Sequence, residues 1–499
     1  MSCSSLSDAL GQWEAAIRFS ITIAITLVLS AVGLTYEIAA GRALAPFFGT
    51  SLLTWTSVIA TVLGGFSLGS ALGGLLAERP RRIAAGHVRS ALVATAVLMA
   101  ITPTLLGLIN GWGVRGTAGM VITVLIVFFP PSVCVTLPSP FLAKVAIEAR
   151  PGREGSSLGI VLAAGSLGAI FGAILAGFAA LPLIGATATF AACGAAALLC
   201  VPFVRGGASD ATGTAGPNST VTFAAGGLVA FGGLVGQPLC QYESGLSCLH
   251  IVERGAEVRL FSDGTTQAAE VTSPSDELAL PYTQWLWSRL DADLGPAPSV
   301  LFVGGGGYTL PTRLLASRPE ARAIAVEIDP LVTRVVAQHL PRAAKMISRT
   351  GYDAEGGVAE AAGRLGLVHA DGRVYINETG QRFDAAVMDA FSSGSVPAHL
   401  VTVETYERLR AIVDGPVYVN LIDRPDGPLA RGVHAILTGL YPHVEAVEGP
   451  TSGNGRANIL LAASERPLAP LADLPDGYGP VAISKARAFT DDRGWVGHR

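Results

Sequence analysis

Val300-Leu301-Phe302-Val303-Gly304-Gly305-Gly306-Gly307, followed about twenty residues later by Ala325-Val326-Glu327-Ile328-Asp329, is the stretch whose reading decides the fold. The apolar run reads as a buried strand. The glycines then form a turn whose backbone N–H groups carry no side-chain cover. Pro311 is compatible with the first turn of a following helix. Glu327 ends a second strand at the spacing where an acid accepts the hydroxyls of a ribose. The unit predicted is strand, turn, helix and strand, with a nucleoside resting against the turn. With 60 glycines in the chain, glycine repetition alone decides little. The preceding strand and the spaced acid carry the reading.

Outward from this unit, strand-like runs recur at 299–303, 323–328, 365–369, 384–388, 417–422 and 458–463. Helix-like stretches, such as 330–340 and 403–412, lie between them. Such alternation predicts a mostly parallel, doubly wound, Rossmann-like α/β sheet with ligands at the carboxyl ends of its strands. Asp329, Asp371 and Asp389 fall at or just beyond such ends. Upstream, 249–254, 258–262 and 267–271 read as a small antiparallel β cap, with Ser262-Asp263-Gly264 as a turn.

The first half is different material. The 499-residue chain is 50% hydrophobic and only 14% charged, too apolar for one soluble domain. Apolar stretches able to cross about 30 Å of hydrocarbon occur at 17–38, 52–77, 88–109, 118–137, 158–181 and 183–204. Six membrane spans are therefore expected. The first lacks a cleavage pattern and is followed by others, so it does not read as a signal peptide. The domains expected are a six-span helical unit at 1–205, a linker at 206–239, the β cap at 240–290 and the Rossmann-like unit at 291–499.

Arg79, Arg81, Arg82 and Arg89 lie between spans two and three, Lys144, Arg150 and Arg153 between four and five, and Arg205 follows span six. The alternate loops carry little beyond Arg42 and Arg115. The positive-inside rule then puts the N-terminus and the chain after span six in the cytoplasm of a plasma-membrane protein. One segment resists: 220–236 is apolar and at the lower length limit for a span. An interfacial or re-entrant segment is expected there, because a seventh crossing would export the C-terminal domain or invert the charge pattern.

Spans two and five share Ser67-Leu68-Gly69 and Ser166-Leu167-Gly168, each with a later glycine, Gly73 and Gly172. Three spans per half is the arithmetic of an inverted repeat; two independently small-residue helices would read the same way. Glu37, at the end of span one, reads either as part of an interfacial pair with Arg42 or as a ligand site. The six cysteines show no metal spacing and are expected to stay reduced in a cytoplasmic protein. A net charge of −4 offers no basic surface to nucleic acid. Residues 352–363 read as a surface insertion.

These residues together carry a resemblance. From about Gln241 onward the chain resembles the spermidine synthase (polyamine aminopropyltransferase) family, in its bacterial membrane-fused branch. The matching positions are Tyr242-Glu243-Ser244, His250-Ile251-Val252, Asp263-Gly264 with Gln267, Tyr282, the glycine turn, Val326-Glu327-Ile328-Asp329, Asp371-Gly372 and Asp389. The resemblance implies a fold of the class I methyltransferase type and a sulfonium-nucleoside co-substrate, with no metal. It implies Gly304, Gly305, Gly306, Gly307, Glu327, Asp371 and Gly372 around that nucleoside, with Glu327 on the ribose and Asp371 on the adenine. It implies Asp389 as general base, and Tyr282, Gln267 and Asp389 around the amine. A small-molecule amine and the bilayer are the partners expected, and a homodimer is admissible.

Departures from the family pattern matter as well. The acid expected directly after the third glycine, which grips the donor's amino group, is Gly307. The second acid beyond the catalytic aspartate is replaced in Ser392-Ser393-Gly394, the acid pair after the tyrosine reads Thr283-Gln284, and Gly245-Leu246-Ser247-Cys248 lacks an expected glutamine. Losing an acid from the tail pocket removes a repulsion against a carboxylated tail, so S-adenosylmethionine becomes admissible beside its decarboxylated form. Three readings stay open: aminopropyl transfer to a putrescine-like amine, methyl transfer to an amine or amphiphile, and a non-catalytic membrane carrier or sensor.

Overall fold

The computed structural model describes residues 3–48, 52–114, 116–205, 217–234, 239–272, 277–354, 363–390, 396–453 and 455–493. It divides into two compact units, Met1–Cys248 and Leu249–Arg499.

The first unit is built from helices α1 (Cys3–Phe48), α2 (Leu52–Ala77), α3 (Arg81–Gly111), α4 (Gly116–Thr136), α5 (Pro138–Glu148), α6 (Glu154–Leu175), α7 (Leu181–Cys200) and α8 (Ser219–Leu234). Among the described residues, five helical stretches are long and apolar enough to cross a membrane. Six spans were expected, and the difference lies in Glu154–Phe203, one stretch of 50 residues. At 1.5 Å per residue that is about 75 Å, more than twice the hydrocarbon thickness. Gly185, at φ 74° and ψ 174°, breaks it.

The two limbs run in opposite senses. Gly168 and Gly172 of α6 meet the carbonyls of Leu27 and Ala31, so α6 runs parallel to α1. Phe190 packs on Tyr36 and Cys193 lies 3.9 Å from the Val32 carbonyl, so α7 runs antiparallel to α1.

One end of this bundle gathers the basic residues. Arg89 Nε donates to the Val204 carbonyl at 2.8 Å, and Lys144 Nζ to the Ala77 carbonyl at 2.7 Å. Arg81 pairs with Glu148 at 3.5 Å, and the Arg150 guanidinium lies 3.7 Å from the Phe19 ring. Helix α8 lies along α7 in the opposite sense, Gly226 facing Leu198 and Gly233 facing Ala191, and Gly232 approaches the Ala100 carbonyl of α3. Residues 235 and 236 of the segment expected to be interfacial lie outside the described residues.

Beyond α8 comes the short strand β1 (Tyr242–Glu243). Glu243 Oε1 accepts the Ala186 N–H at 2.9 Å, just after the Gly185 break near the start of α7. The expectation of reduced cysteines is corrected for one pair: Cys240 and Cys248 form a disulfide with Cα atoms 5.3 Å apart. Their separation of eight residues, folded back by the Ser244–Ser247 turn, brings the two cysteines within bridging distance, which spacing alone does not reveal.

In the second unit β2 (Cys248–Arg254), β3 (Glu257–Ser262) and β4 (Thr265–Val271) form an antiparallel meander. Asp263 and Gly264 turn β3 into β4 with φ of 48° and 78°, the left-handed pair of a tight hairpin. Helix α9 (Pro281–Asp293) leads to the sheet. Its elements are β5 (Ser299–Val303), α10 (Thr309–Ser317), β6 (Arg322–Val326), α11 (Pro330–His339), α12 (Pro341–Thr350), β7 (Gly351–Asp353), β8 (Leu365–Val368), α13 (Gly372–Glu378), β9 (Ala385–Met388), α14 (Val403–Ile412), β10 (Val417–Asp423), α15 (Pro428–Leu440), β11 (His443–Glu448), β12 (Ala457–Ser464) and β13 (Gly479–Pro480).

Among the described residues the strand order is β13-β11-β12-β10-β9-β5-β6-β8-β7. Strands β10, β9, β5, β6, β8 and β7 run parallel, and β12 closes one side antiparallel to β10. Val300, Leu301, Phe302 and Val303 of β5 are all buried, as a central strand covered on both faces requires. Strand order reverses between β9 and β6 on either side of β5, which opens the crevice where the glycine turn lies.

Candidate active site

The turn after β5 depends on glycine, as Gly304 and Gly307 show. Gly304 has φ +102°, and a side chain there would overlap the backbone of Asp389. The Asp389 N–H bonds the Val303 carbonyl at 2.9 Å, so the carboxyl ends of β5 and β9 close on each other. At Gly307 a side-chain carbon would overlap Ala268 of β4. Position 307 is small because the meander packs on it. The following residue, Tyr308, takes a left-handed φ of 54° and is held by a 2.6 Å bond between its hydroxyl and Thr333.

Glu327 stands just past β6 and reaches back to the turn. Its Oε2 accepts the N–H groups of Gly305 at 3.0 Å and Gly306 at 3.1 Å, and its Oε1 accepts from Asp329 at 3.1 Å. Burial pushes its pKa up, and the N–H bonds from Asp329, Gly306 and Gly305 pull against that. A carboxylate offers about four acceptor positions, so one remains for a further donor such as a ribose hydroxyl.

Asp371 caps α13, Oδ1 accepting from Arg373 at 2.8 Å and Val374 at 3.2 Å, while Oδ2 lies 2.9 Å from His399 Nε2. It too keeps acceptor capacity. Gly372 packs on Val303 at the start of that helix. The cap is the Asp-Gly turn chemistry of local sequence, realised here at a strand end.

Asp389 has a different surrounding. Its Oδ1 accepts from Asn420 Nδ2 at 2.8 Å, Asn420 Oδ1 accepts from Asn458 Nδ2 at 2.9 Å, and the Tyr282 hydroxyl also donates to Asp389. Burial pushes the Asp389 carboxyl up to about 6, opposed by the bonds from Asn420 and Tyr282. The Tyr282 phenol is pushed well above its ordinary value by burial first and then by the Asp389 charge, so it remains a donor. A base near 6 beside a permanently protonated phenol suits proton acceptance at neutral pH.

One crevice brings together Gln267, Tyr282, Gly304, Gly305, Gly306, Gly307 and Asp389. Glu327 adjoins it through the turn, whereas Asp371 and Gly372 do not line it. The Ser392-Ser393-Gly394 stretch lies outside the described residues. Sequence reasoning missed Asn420, Asn458, Ala268 and His399. For Asn420 a signal exists: it is the lone amide in the centre of the apolar run Val417–Asp423.

No sequence-family profile matches the chain. Over 144 residues it is 29% identical to the polyamine aminopropyltransferase of Vibrio vulnificus, covering 28% of this chain and 42% of that protein. Over 121 residues it is 31% identical to the polyamine aminopropyltransferase of Saccharolobus solfataricus, covering 24% of this chain and 36% of that one. The chain thus spans less than half the length of these relatives, which are transferases. A probable spermidine synthase from Corynebacterium glutamicum aligns at TM-score 0.42 and 19% identity, over 51% of this chain and 97% of that structure. Spermidine synthase from Thermotoga maritima aligns at TM-score 0.34 and 18% identity, over 49% of this chain and 79% of that structure. The family likeness carried by the motifs is therefore matched by sequence relatives over part of the chain.

Proposed function

We propose that this chain, related in sequence to the polyamine aminopropyltransferases, moves an aminopropyl group from decarboxylated S-adenosylmethionine to a putrescine-like amine, tethered to a bilayer by its helical unit. The observation that carries this reading is Asp389, a carboxylate with a pKa near 6, bonded to Tyr282 and Asn420 on the crevice beside the glycine turn.

In the reaction, the amine nitrogen's lone pair attacks the carbon next to the sulfonium sulfur. The C–S bond breaks, its electrons stay on sulfur as a neutral thioether, and the alkylated nitrogen leaves as an ammonium. An ammonium is not nucleophilic, so the substrate must arrive at a base. Asp389 attracts the cation and takes its proton as attack occurs. Tyr282 orients that carboxylate and, with Gln267, lines the path of the amine chain. Glu327, fixed by the N–H groups of Gly305 and Gly306, turns its remaining acceptor capacity to the ribose hydroxyls, and Asp371 holds the adenine amino group. Alignment of the nitrogen behind the carbon supplies the rest.

Methyl transfer from S-adenosylmethionine is a second reading, and Gly307 favours it. Ala268 occupies the space an acid would need there, so the donor's tail meets no carboxylate at that position. Incubating the full chain with putrescine and either donor, with mass-spectrometric product analysis, tests both. Spermidine from the decarboxylated donor supports the first reading, and a methylated amine from the other supports the second. Binding of either donor without product would make the chain a carrier or sensor.

A further inference from the structure

The helical unit contains a cavity of about 320 Å³ lined by α1, α2, the α4–α5 stretch and α6. Gly168 and Gly172 of α6 meet the carbonyls of Leu27 and Ala31 on α1; Gly69 and Gly73 of α2 meet those of Val133 and Leu137 at the α4–α5 stretch. The two copies of Ser-Leu-Gly thus make the same pair of contacts, four residues apart, each with the first span of the other half. Helix α3 also packs on α7, the third span of one half on the third of the other. This exchange of partners is the arrangement of an inverted repeat, whose binding site lies near the midplane between the halves. The cavity is there.

Glu37 lines this cavity, is 9% exposed, and its Oε2 has no hydrogen-bond partner among the described residues. A carboxylate so placed is costly unless a cation or proton meets it. The remaining lining is largely aliphatic, from Leu29, Leu34, Leu63 and Leu142, with the Phe66 ring and the hydroxyls of Thr26, Ser30, Ser70, Thr136 and Ser139 among it. Among the described residues no cluster of three or more acidic, His or Cys groups exists to hold a metal ion. The volume lies in the range of small-molecule sites, far above the ~30 Å³ share of one water. Hydroxyl acceptors, an aromatic face and one carboxylate suit an ammonium on a short aliphatic chain.

We propose that the helical unit binds a small aliphatic amine, as its ammonium, at Glu37. The choice of amine over other organic cations rests on the transferase reading above; the site itself does not. The test uses the full chain in lipid nanodiscs, in an Asp389→Asn background that weakens the other amine site, with radiolabelled putrescine as probe. Saturable binding should remain, fall at least about tenfold in Glu37→Gln (about 1.4 kcal/mol) and recover in part in Glu37→Asp. S-adenosylmethionine binding, which reads the sheet unit, should be unchanged in Glu37→Gln and so confirms folding. Putrescine binding that is absent, insensitive to Glu37, or displaced by sodium alone overturns the proposal. Absence of donor turnover in the chain with native Asp389, with Glu37-dependent binding intact, would instead sink only the transferase reading.

A separate observation concerns the side of the membrane. Helix α8 starts toward the end of the bundle where Arg89 meets Val204 and runs back along α7 toward Ala191; the chain then reaches Ala186 through Glu243. Cys240 and Cys248 are bridged at that opposite end, and disulfides persist in oxidising compartments. We infer that α8 is a seventh crossing, so that the Cys240–Cys248 bridge lies at the end of the helical unit away from the arginine-rich loops, outside the cytoplasm. Alkaline phosphatase fused after Cys248 should be active, and fused after Arg205 inactive. The reverse pattern, or equal behaviour of the two fusions, overturns the inference, whatever reaction the sheet unit performs.

Discussion

Asn420 and Asp389 are joined by a 2.8 Å hydrogen bond from the Asn420 amide to the carboxylate. The bond favours the charged form of Asp389 against the burial that opposes it. Asn420→Leu removes it. A hydrogen bond to a charged group contributes about 1.5–3 kcal/mol, so the acid limb of the pH–rate profile should move upward by about one unit or more. Donor affinity should stay constant, which separates this from general damage to the site.

Asp389 must be ionised to accept a proton, and its pKa is raised to about 6. Activity should therefore be constant above that value and fall about tenfold per unit as pH drops below it. Asp389→Asn should reduce turnover by about 10²- to 10⁴-fold and abolish this limb, with donor binding retained. Stopped-assay rates between pH 5 and 9 check both points; a profile indifferent to the substitution removes Asp389 from the mechanism.

Gly307→Ala puts a methyl group where Ala268 already stands. Overpacking of this kind costs about 1–3 kcal/mol, read as a lowered thermal midpoint with weakened donor binding. Gly307→Ala combined with Ala268→Gly should recover most of the loss. If the double variant is as impaired as the single, packing against β4 is not what keeps position 307 small.

Glu327→Gln leaves the turn one amide oxygen in place of a carboxylate that bonds Gly305, Gly306 and Asp329. Affinity for either adenosyl donor should fall about 10- to 100-fold, in line with the loss of charge-assisted bonds. Calorimetric titration measures it. Unchanged affinity would show that the acid serves the turn and not the nucleoside.

Much of the sheet unit was legible because its signals are local. The β5 run, the four glycines and Glu327 lie within thirty residues of one another, and each expected strand has a counterpart within two residues at either end. Strand-end aspartates follow from alternation, so Asp371 and Asp389 were visible. Their partners were not: Asn420 and Asn458 join Asp389 only because β10 lies between β9 and the antiparallel β12. The bond from Asp371 to His399 depends on a chain reversal with no signature of its own.

The amino-acid sequence by itself determined the division into an apolar helical half and a doubly wound half, because hydrophobic period and length are properties of short windows. It also placed the glycine turn at the end of β5 and the acid just past β6. Tertiary structure alone decided which polar groups face one another: that Glu327 turns back onto Gly305 and Gly306, that Asp389 shares its charge with Asn420 and Tyr282, and that Cys240 bridges Cys248. Hydrogen bonds and a disulfide need atoms within a few ångströms, and the packing of distant segments sets those distances.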